Sequence, residues 1–147
     1  MQYQDTVENI TSDQLQGFFV GWPSPPLPET HLRLLRQSAF VVMARDRATH
    51  RVIGFITAIA DGVLSAYIPL LEVLPDYQGQ GIGRQLVHRM LEKLKPYYMV
   101  DLFCDADLQP FYEKLGLQRA TGIVLRHYEN QAGCSMQAND NTMNFNS

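Results

Sequence analysis

The sequence predicts a single α/β domain whose mixed sheet begins as an antiparallel meander and gains a parallel strand through a helical crossover. Three observations predict it. Apolar β-branched runs sit at Ala39–Ala44, Val52–Ala60 and Val63–Leu74, joined by short polar turns. A glycine-rich segment, Gln78 to Gly83, then leads into an apolar stripe of helical period, Leu86, Val87, Met90, Leu91 and Leu94. A further apolar run, Tyr98–Cys104, follows Pro96, so the strands flanking this helix run parallel.

Each element has its local cause. Thr6–Ile10 is a short strand candidate. Thr11-Ser12-Asp13-Gln14 reads as a capping box, and Leu15, Phe18 and Phe19 continue it as a helix to about Val20. Gly21 to Pro26 carries three prolines and is loop. A second helix starts near Pro28 and presents Leu32 and Leu35 on one side. Asp61-Gly62 is a two-residue hairpin signal between the second and third runs. After the crossover, Asp107–Leu115 is a short helix closed by Gly116, and Thr121–Arg126 is a last strand. The domain is expected over residues 1–128, and residues 129–147, rich in Asn, Gln and Ser, read as a mobile tail.

Bulk composition narrows the function classes. The chain has 147 residues, 46% of them hydrophobic, enough for one sizeable core. A net charge of −3 supplies no basic field for nucleic acid or an anionic membrane and suits a cationic partner better. No apolar run is long enough to span a bilayer, and Met1 to Asp5 has no signal-peptide pattern, so a cytoplasmic location is expected. Cys104 and Cys134 are far apart in sequence and read as free thiols. His31, His50, His88 and His127 are scattered through different elements, so no metal site is expected.

The chemistry concentrates in Gln78-Gly79-Gln80-Gly81-Ile82-Gly83-Arg84. Three glycines between a strand and a helix leave backbone N–H groups unshielded at the positive end of a helix dipole. A diphosphate is the natural occupant. A Walker A loop would need Gly-Lys-Ser or Gly-Lys-Thr, and the dinucleotide fingerprint fails where Arg84 replaces its last glycine.

The pattern Gln78-x-x-Gly81-x-Gly83 resembles the Q/R-x-x-G-x-G/A motif of the GNAT acetyltransferases, and Val73 to Tyr77 is similar to the family's lead-in. Phe111-Tyr112-Glu113-Lys114-Leu115-Gly116-Leu117 resembles the family's tyrosine-bearing segment. Twenty-nine positions separate Gly83 from Tyr112, as the intervening helix and strand require. The resemblance implies acetyl-CoA as acyl donor, its pyrophosphate on the amides from Gln78 to Arg84. Its pantetheine arm would lie between splayed strands carrying Leu71-Glu72-Val73 and Leu102-Phe103-Cys104.

Leu71, Val73 and Leu74 are then main-chain contacts for the arm. An N–H near Val73 is placed to polarise the thioester carbonyl. Pro69 fits a bulge or an unpaired stretch in that strand.

The resemblance also implies roles for two side chains. Glu72 is a candidate base, as the one charge from Tyr67 to Leu74; the plainer alternatives are a solvent-facing carboxylate or a partner for Arg84. Tyr112 is the candidate acid for the departing thiolate, the alternative being a packed aromatic. Asp105 stands where many relatives carry asparagine; it can cap the next helix but donates no amide hydrogen bond. Cys104 as an acyl-carrying nucleophile is the weaker alternative to direct transfer. Trp22 and Tyr67 are candidates for the wall of an acceptor pocket, with Phe18 and Phe19 read as core. The expected acceptor is a small primary amine, with a peptide N-terminus or lysine as runner-up and an acyl-CoA-binding module without turnover as a different class. A homodimer is the candidate assembly.

Overall fold

The computed structural model describes residues 1–134. Its framework is a five-stranded sheet in the order β1-β2-β3-β4-β5. The strands are β1 (Gln2–Gln4), β2 (Phe40–Arg45), β3 (Val52–Ala60), β4 (Ser65–Val73) and β5 (Met99–Leu102). The first four are mutually antiparallel, and β4 and β5 are parallel, so the expected mixed sheet is present. Three α-helices accompany it among the described residues: α1 (Pro28–Gln37), α2 (Ile82–Lys93) and α3 (Gln109–Glu113). None of the described helices is long and apolar enough to cross a membrane.

Adjacent residues of β3 show how the two faces are covered. A Cβ on Gly54 would lie 3.1 Å from Leu86 of α2, whereas the ring of Phe55 lies 4.4 Å from that of His31 on α1. Alternation along the strand sends these neighbours to opposite faces, so α2 covers one side and α1 the other. Phe55, Ile53, Ile56, Leu86, Val87 and Met90 are fully buried between the layers. His31 is buried there too, with neither ring nitrogen partnered among the described residues, and burial pushes its pKa down to about 4.

Several expected elements take another form. The first strand is Gln2–Gln4, with Tyr3 opposite Ala44; Thr6–Ile10 forms no strand, because Asn9 adopts a left-handed φ of 63° that ends an extended run. The expected first helix is one 3-10 turn, Ser12–Leu15, started by the Thr11 N–H donating to Gln14 Oε1 at 3.0 Å. The chain turns out of it at Gly17, and Phe18 and Phe19 point into the core as expected. The β3–β4 connection is longer than two residues: the Asp61 carboxylate accepts the N–H groups of Val63, Leu64 and Ser65, so β4 starts at Ser65. Thr121–Arg126 pairs with no strand among the described residues, and Ile123 is 96% exposed.

The expected tail, 129–147, is described as far as Cys134 and otherwise lies outside the described residues. Within that portion, Gln131 Oε1 accepts the Ser24 N–H at 2.8 Å and the Cys134 carbonyl accepts from Arg33 at 2.6 Å.

Candidate active site

The site begins with a defect in the sheet. β4 and β5 pair in register only from Ser65↔Met99 to Ile68↔Leu102. On its other side β4 carries an extra residue, since Ile59 faces Tyr67 but Thr57 faces Leu70. Pro69, which has no N–H to give a ladder, sits in that bulge. Past the bulge, Leu70 to Val73 remain paired to β3 while Phe103 to Asp105 leave the sheet. The two strands splay, and the outer main-chain edge of Leu71 to Val73 faces a gap with no strand opposite.

The glycine loop stands at one end of this gap. Gly79 and Gly81 hold φ of +77° and +80°, a region that side chains disfavour, and Gly81 is the N-cap of α2. No side chain caps this helix and no acidic residue lies in its first turn. The amides of Ile82, Gly83 and Arg84 therefore have no intrahelical acceptor and carry the positive end of the helix dipole. A Cβ added at Gly79 or Gly81 would meet nothing within 4 Å, so the loop opens outward. At Gly83 it would face Val73 at 3.8 Å and Phe111 at 3.9 Å, which places the helix start between β4 and α3. Open, uncapped amides with flanking left-handed glycines fit the diphosphate of acetyl-CoA.

The residues of this loop divide by role. Gln80 and Arg84 are exposed beside the amides. Gln78 instead braces the loop, donating from Nε2 to the Val73 carbonyl at 3.0 Å. Leu74 is a buried core residue; its N–H is given to Ile53 and its carbonyl accepts from Tyr77, so it offers the gap no free donor. Ile82 is likewise buried through its side chain, leaving only its amide to serve a ligand.

Glu72 neither faces solvent freely nor pairs with Arg84. Its two carboxylate oxygens accept the Phe19 N–H at 2.7 and 2.8 Å. Burial raises its pKa, and the hydrogen bonds from Phe19 and Val20 only partly oppose that rise. Phe19 presents this N–H by adopting a left-handed φ of 61°, a strained conformation for an aromatic residue. Its ring lies 4.9 Å from that of His31 and 4.9 Å from that of Trp22. Trp22, 38% exposed, thus roofs the segment that grips Glu72, and its backbone N–H donates to the Phe19 carbonyl.

The opposite wall carries Tyr112 and Cys104. Tyr112 is half-buried, packs edge-on against Phe111 at 4.9 Å, and its pKa is pushed up to about 12, first by burial and then by Cys104 nearby. Burial and the carboxylates of Asp105 and Asp107 raise the Cys104 pKa, which keeps it a thiol and opposes a nucleophilic role. Asp105 is exposed and begins the 3-10 turn Ala106–Leu108 through its carbonyl, not through the side-chain cap expected of it. Tyr67 lies farther back on β4, its ring 6.4 Å from that of Phe103, beside the paired part of the strands.

Phe19, His31 and Phe111 belong to this arrangement and sequence reasoning passed over their part in it. Phe19 acts through its amide, for which no side-chain pattern exists. A sharper signal was available for His31, a lone polar residue on the apolar side of α1 beside Leu32 and Leu35.

Comparison with known proteins agrees with this geometry. A model of the acetyltransferase (GNAT) family matches residues 7–117. A solved structure of a protein from Deinococcus radiodurans R1, assigned as an acetyltransferase, is 51% identical, with a TM-score of 0.88 over 91% of this chain and 93% of that one. The uncharacterized N-acetyltransferase ycf52 of Pyropia yezoensis is 30% identical over 119 residues, 78% of this chain and 68% of that protein. Histone acetyltransferase TAP1 of Glycine max is 30% identical over 109 residues, 67% of this chain and 47% of that protein.

Proposed function

The chain belongs to the GNAT family of acetyltransferases and is an N-acetyltransferase, and from that premise we propose that it moves the acetyl group of acetyl-CoA directly to a small primary amine. The observation that carries the donor assignment is the uncapped start of α2, with its left-handed glycines, at the mouth of the gap between β4 and β5. The amides from Gly79 to Arg84 would hold the pyrophosphate, and the open edge of Leu71 to Val73 would hold the arm. Acetyl-CoA supplies an activated acyl thioester.

This chain's residues supply binding, orientation and proton movement. Glu72, with its raised pKa, takes a proton from the acceptor ammonium, directly or through water, as the amine nitrogen bonds to the acyl carbon. The Tyr112 hydroxyl, protonated at any physiological pH, gives its proton to the sulfur as the carbon–sulfur bond breaks. The N–H near Val73 is the candidate donor to the carbonyl oxygen.

A small acceptor is favoured by the way its approach is walled. The Trp22 loop is tied inward to Glu72 through Phe19 and outward to Gln131 through Ser24. An extended peptide would have to displace that double tether. The relative named for histone acetylation supports the second reading, a peptide lysine or N-terminus. We infer a reducing, cytoplasmic setting from the free thiols Cys104 and Cys134, and a homodimer as the assembly.

Release of coenzyme A thiol, followed over a panel of small amines and short peptides, tests the reading. Turnover with small amines, reduced about 100-fold by Glu72→Gln and by Tyr112→Phe, is expected. Faster turnover of peptides would move the acceptor to the second reading, and binding without turnover on any amine would overturn catalysis.

A further inference from the structure

Among the described residues His31 is the one titratable side chain that is fully buried, and the proton movements above do not use it. Neither of its ring nitrogens has a partner among those residues. Burying an unpaired imidazole costs stability, and leucine or methionine would fill similar space without that cost. The residue sits in the first turn of α1, where its backbone N–H donates to the Leu27 carbonyl at 2.8 Å. A regular element therefore carries the ring. It lies 5.3 Å from the ring of Phe18, 4.9 Å from that of Phe19 and 4.4 Å from that of Phe55. Phe19 and Phe55 both adjoin Glu72. The first gives the carboxylate its amide hydrogen bonds, and the second stands opposite Glu72 in the β3–β4 ladder.

The link to Glu72 runs through Phe19. Its left-handed φ of 61° is unfavourable for an aromatic residue and persists only where packing enforces it. The rings of Trp22, His31 and Phe55 pack on Phe19. Trp22 belongs to the same loop, with its N–H on the Phe19 carbonyl, and so gives no outside anchor. Phe55 is 6.2 Å away. His31, edge-on at 4.9 Å and carried by α1, is the near contact that ties Phe19 to the scaffold. A flat five-membered ring fits among these phenyl rings, where another phenyl would crowd them and a branched side chain would not lie edge-on. Shape thus accounts for an imidazole whose nitrogens go unpaired.

We propose that His31 is a positioning residue for the proton-accepting carboxylate: its ring holds Phe19 in the left-handed turn, and the Phe19 amide in turn holds Glu72 in one orientation. His31 is 1% exposed and reaches no acceptor itself, so it acts only through Phe19. The Phe19 N–H lies 2.7 and 2.8 Å from the two carboxylate oxygens, which fixes the carboxylate at one end. Without that grip the carboxylate rotates, and its distance from the acceptor nitrogen is no longer set. Proton transfer then slows while binding of the acyl donor is unchanged. The inference rests on the reading of Glu72 as the base.

Two variants of the full chain test it, His31→Met and His31→Leu, each filling the space without a flat ring and each checked for folding by circular dichroism. Each should lower kcat about 10-fold and leave KM for acetyl-CoA within about twofold of the parent. On a Glu72→Gln background the same changes should cost nothing further, because the group being positioned is gone. A merely structural role would instead add its loss equally on both backgrounds. A second readout needs no turnover. In the parent, the Phe19 amide proton should resonate downfield in NMR spectra and follow the titration of Glu72, as a donor to a carboxylate does. In the His31 variants it should move upfield and lose that response. Folded variants with full kcat, a loss that repeats undiminished on Glu72→Gln, or a Phe19 amide unchanged by the substitutions would each overturn the proposal. A parent that turns over no amine would sink the base reading by itself, and the amide resonance would still decide whether His31 holds Phe19 on Glu72.

Discussion

The two ends of this domain are built to different standards. From Ile10 to Leu94 the chain buries a continuous core, with Leu86 and Met90 sealed between α2 and the sheet and Phe55 and Met43 buried on the opposite face, toward α1. From Lys95 to Cys134 nothing is fully buried: Leu102, Phe111, Leu115 and Leu117 are partly covered, and Tyr98, Phe103 and Ile123 are exposed. The boundary runs along the splay between β4 and β5. The first region is a scaffold that stands by its own packing; the second gives one wall of the gap and leaves more of its apolar surface open. A binding gap opened inside the core would have cost the scaffold its packing density, whereas at this boundary it costs one half of a strand pair.

The strongest way to break the comparison is to remove a core ring. Phe55→Ala should destabilise the fold by about 3–5 kcal/mol, read by denaturant unfolding, because Phe18, Phe19 and His31 all pack on that ring. A small loss would mean that the first region is no more tightly built than the second.

His31 extends the test to pH. Its folded pKa, about 4, lies below the unfolded value near 6.5, so the unfolded chain binds the proton first as pH falls. The stability that this residue supports is complete above pH 6.5 and drains away toward pH 4, by up to about 3 kcal/mol. His31→Phe should flatten that slope. A slope that survives the substitution would assign it to other groups.

Across the gap the expected effects are kinetic. Glu72 must be ionised to accept a proton, and burial raises its pKa, so the acid limb of kcat/KM should lie above that of an ordinary glutamate and vanish in Glu72→Gln. Tyr112 must be protonated, and its pKa of about 12 predicts no alkaline limb from this group up to pH ~10. A fall in rate near pH 9 that Tyr112→Phe abolishes would contradict the assignment. The smallest effect belongs to the open region's surface: Leu108, 47% exposed, should tolerate alanine within about 0.5 kcal/mol.

Legibility in the sequence followed the same division. The buried half announces itself, because β2, β3 and α2 carry long apolar patterns whose periods only one packing satisfies. The glycine loop was equally plain, since three glycines before an uncapped helix have few other uses. Pro69 points to a bulge or an unpaired stretch, and the register shift of β4 against β3 is the bulge.

What escaped was set by single backbone angles and by missing partners. The left-handed turn at Asn9 cancelled a strand, and the Asp61 carboxylate lengthened a hairpin by gathering three amides. Thr121–Arg126 has the composition of a strand, yet strand formation needs an edge to pair with, which composition does not encode. Glu72 was found as a lone charge in an apolar run, while its partner was a main-chain N–H with no signature at all.

Calorimetric titration with acetyl-CoA, comparing the parent with Gly81→Glu and Gly83→Glu, tests the central claim most directly. A carboxylate set among the amides at the start of α2 repels the pyrophosphate and blocks its seat. The parent should bind, and both variants, folded by circular dichroism, should lose affinity at least ~100-fold. A folded parent that does not bind acetyl-CoA, or variants that bind as well as the parent, would contradict it.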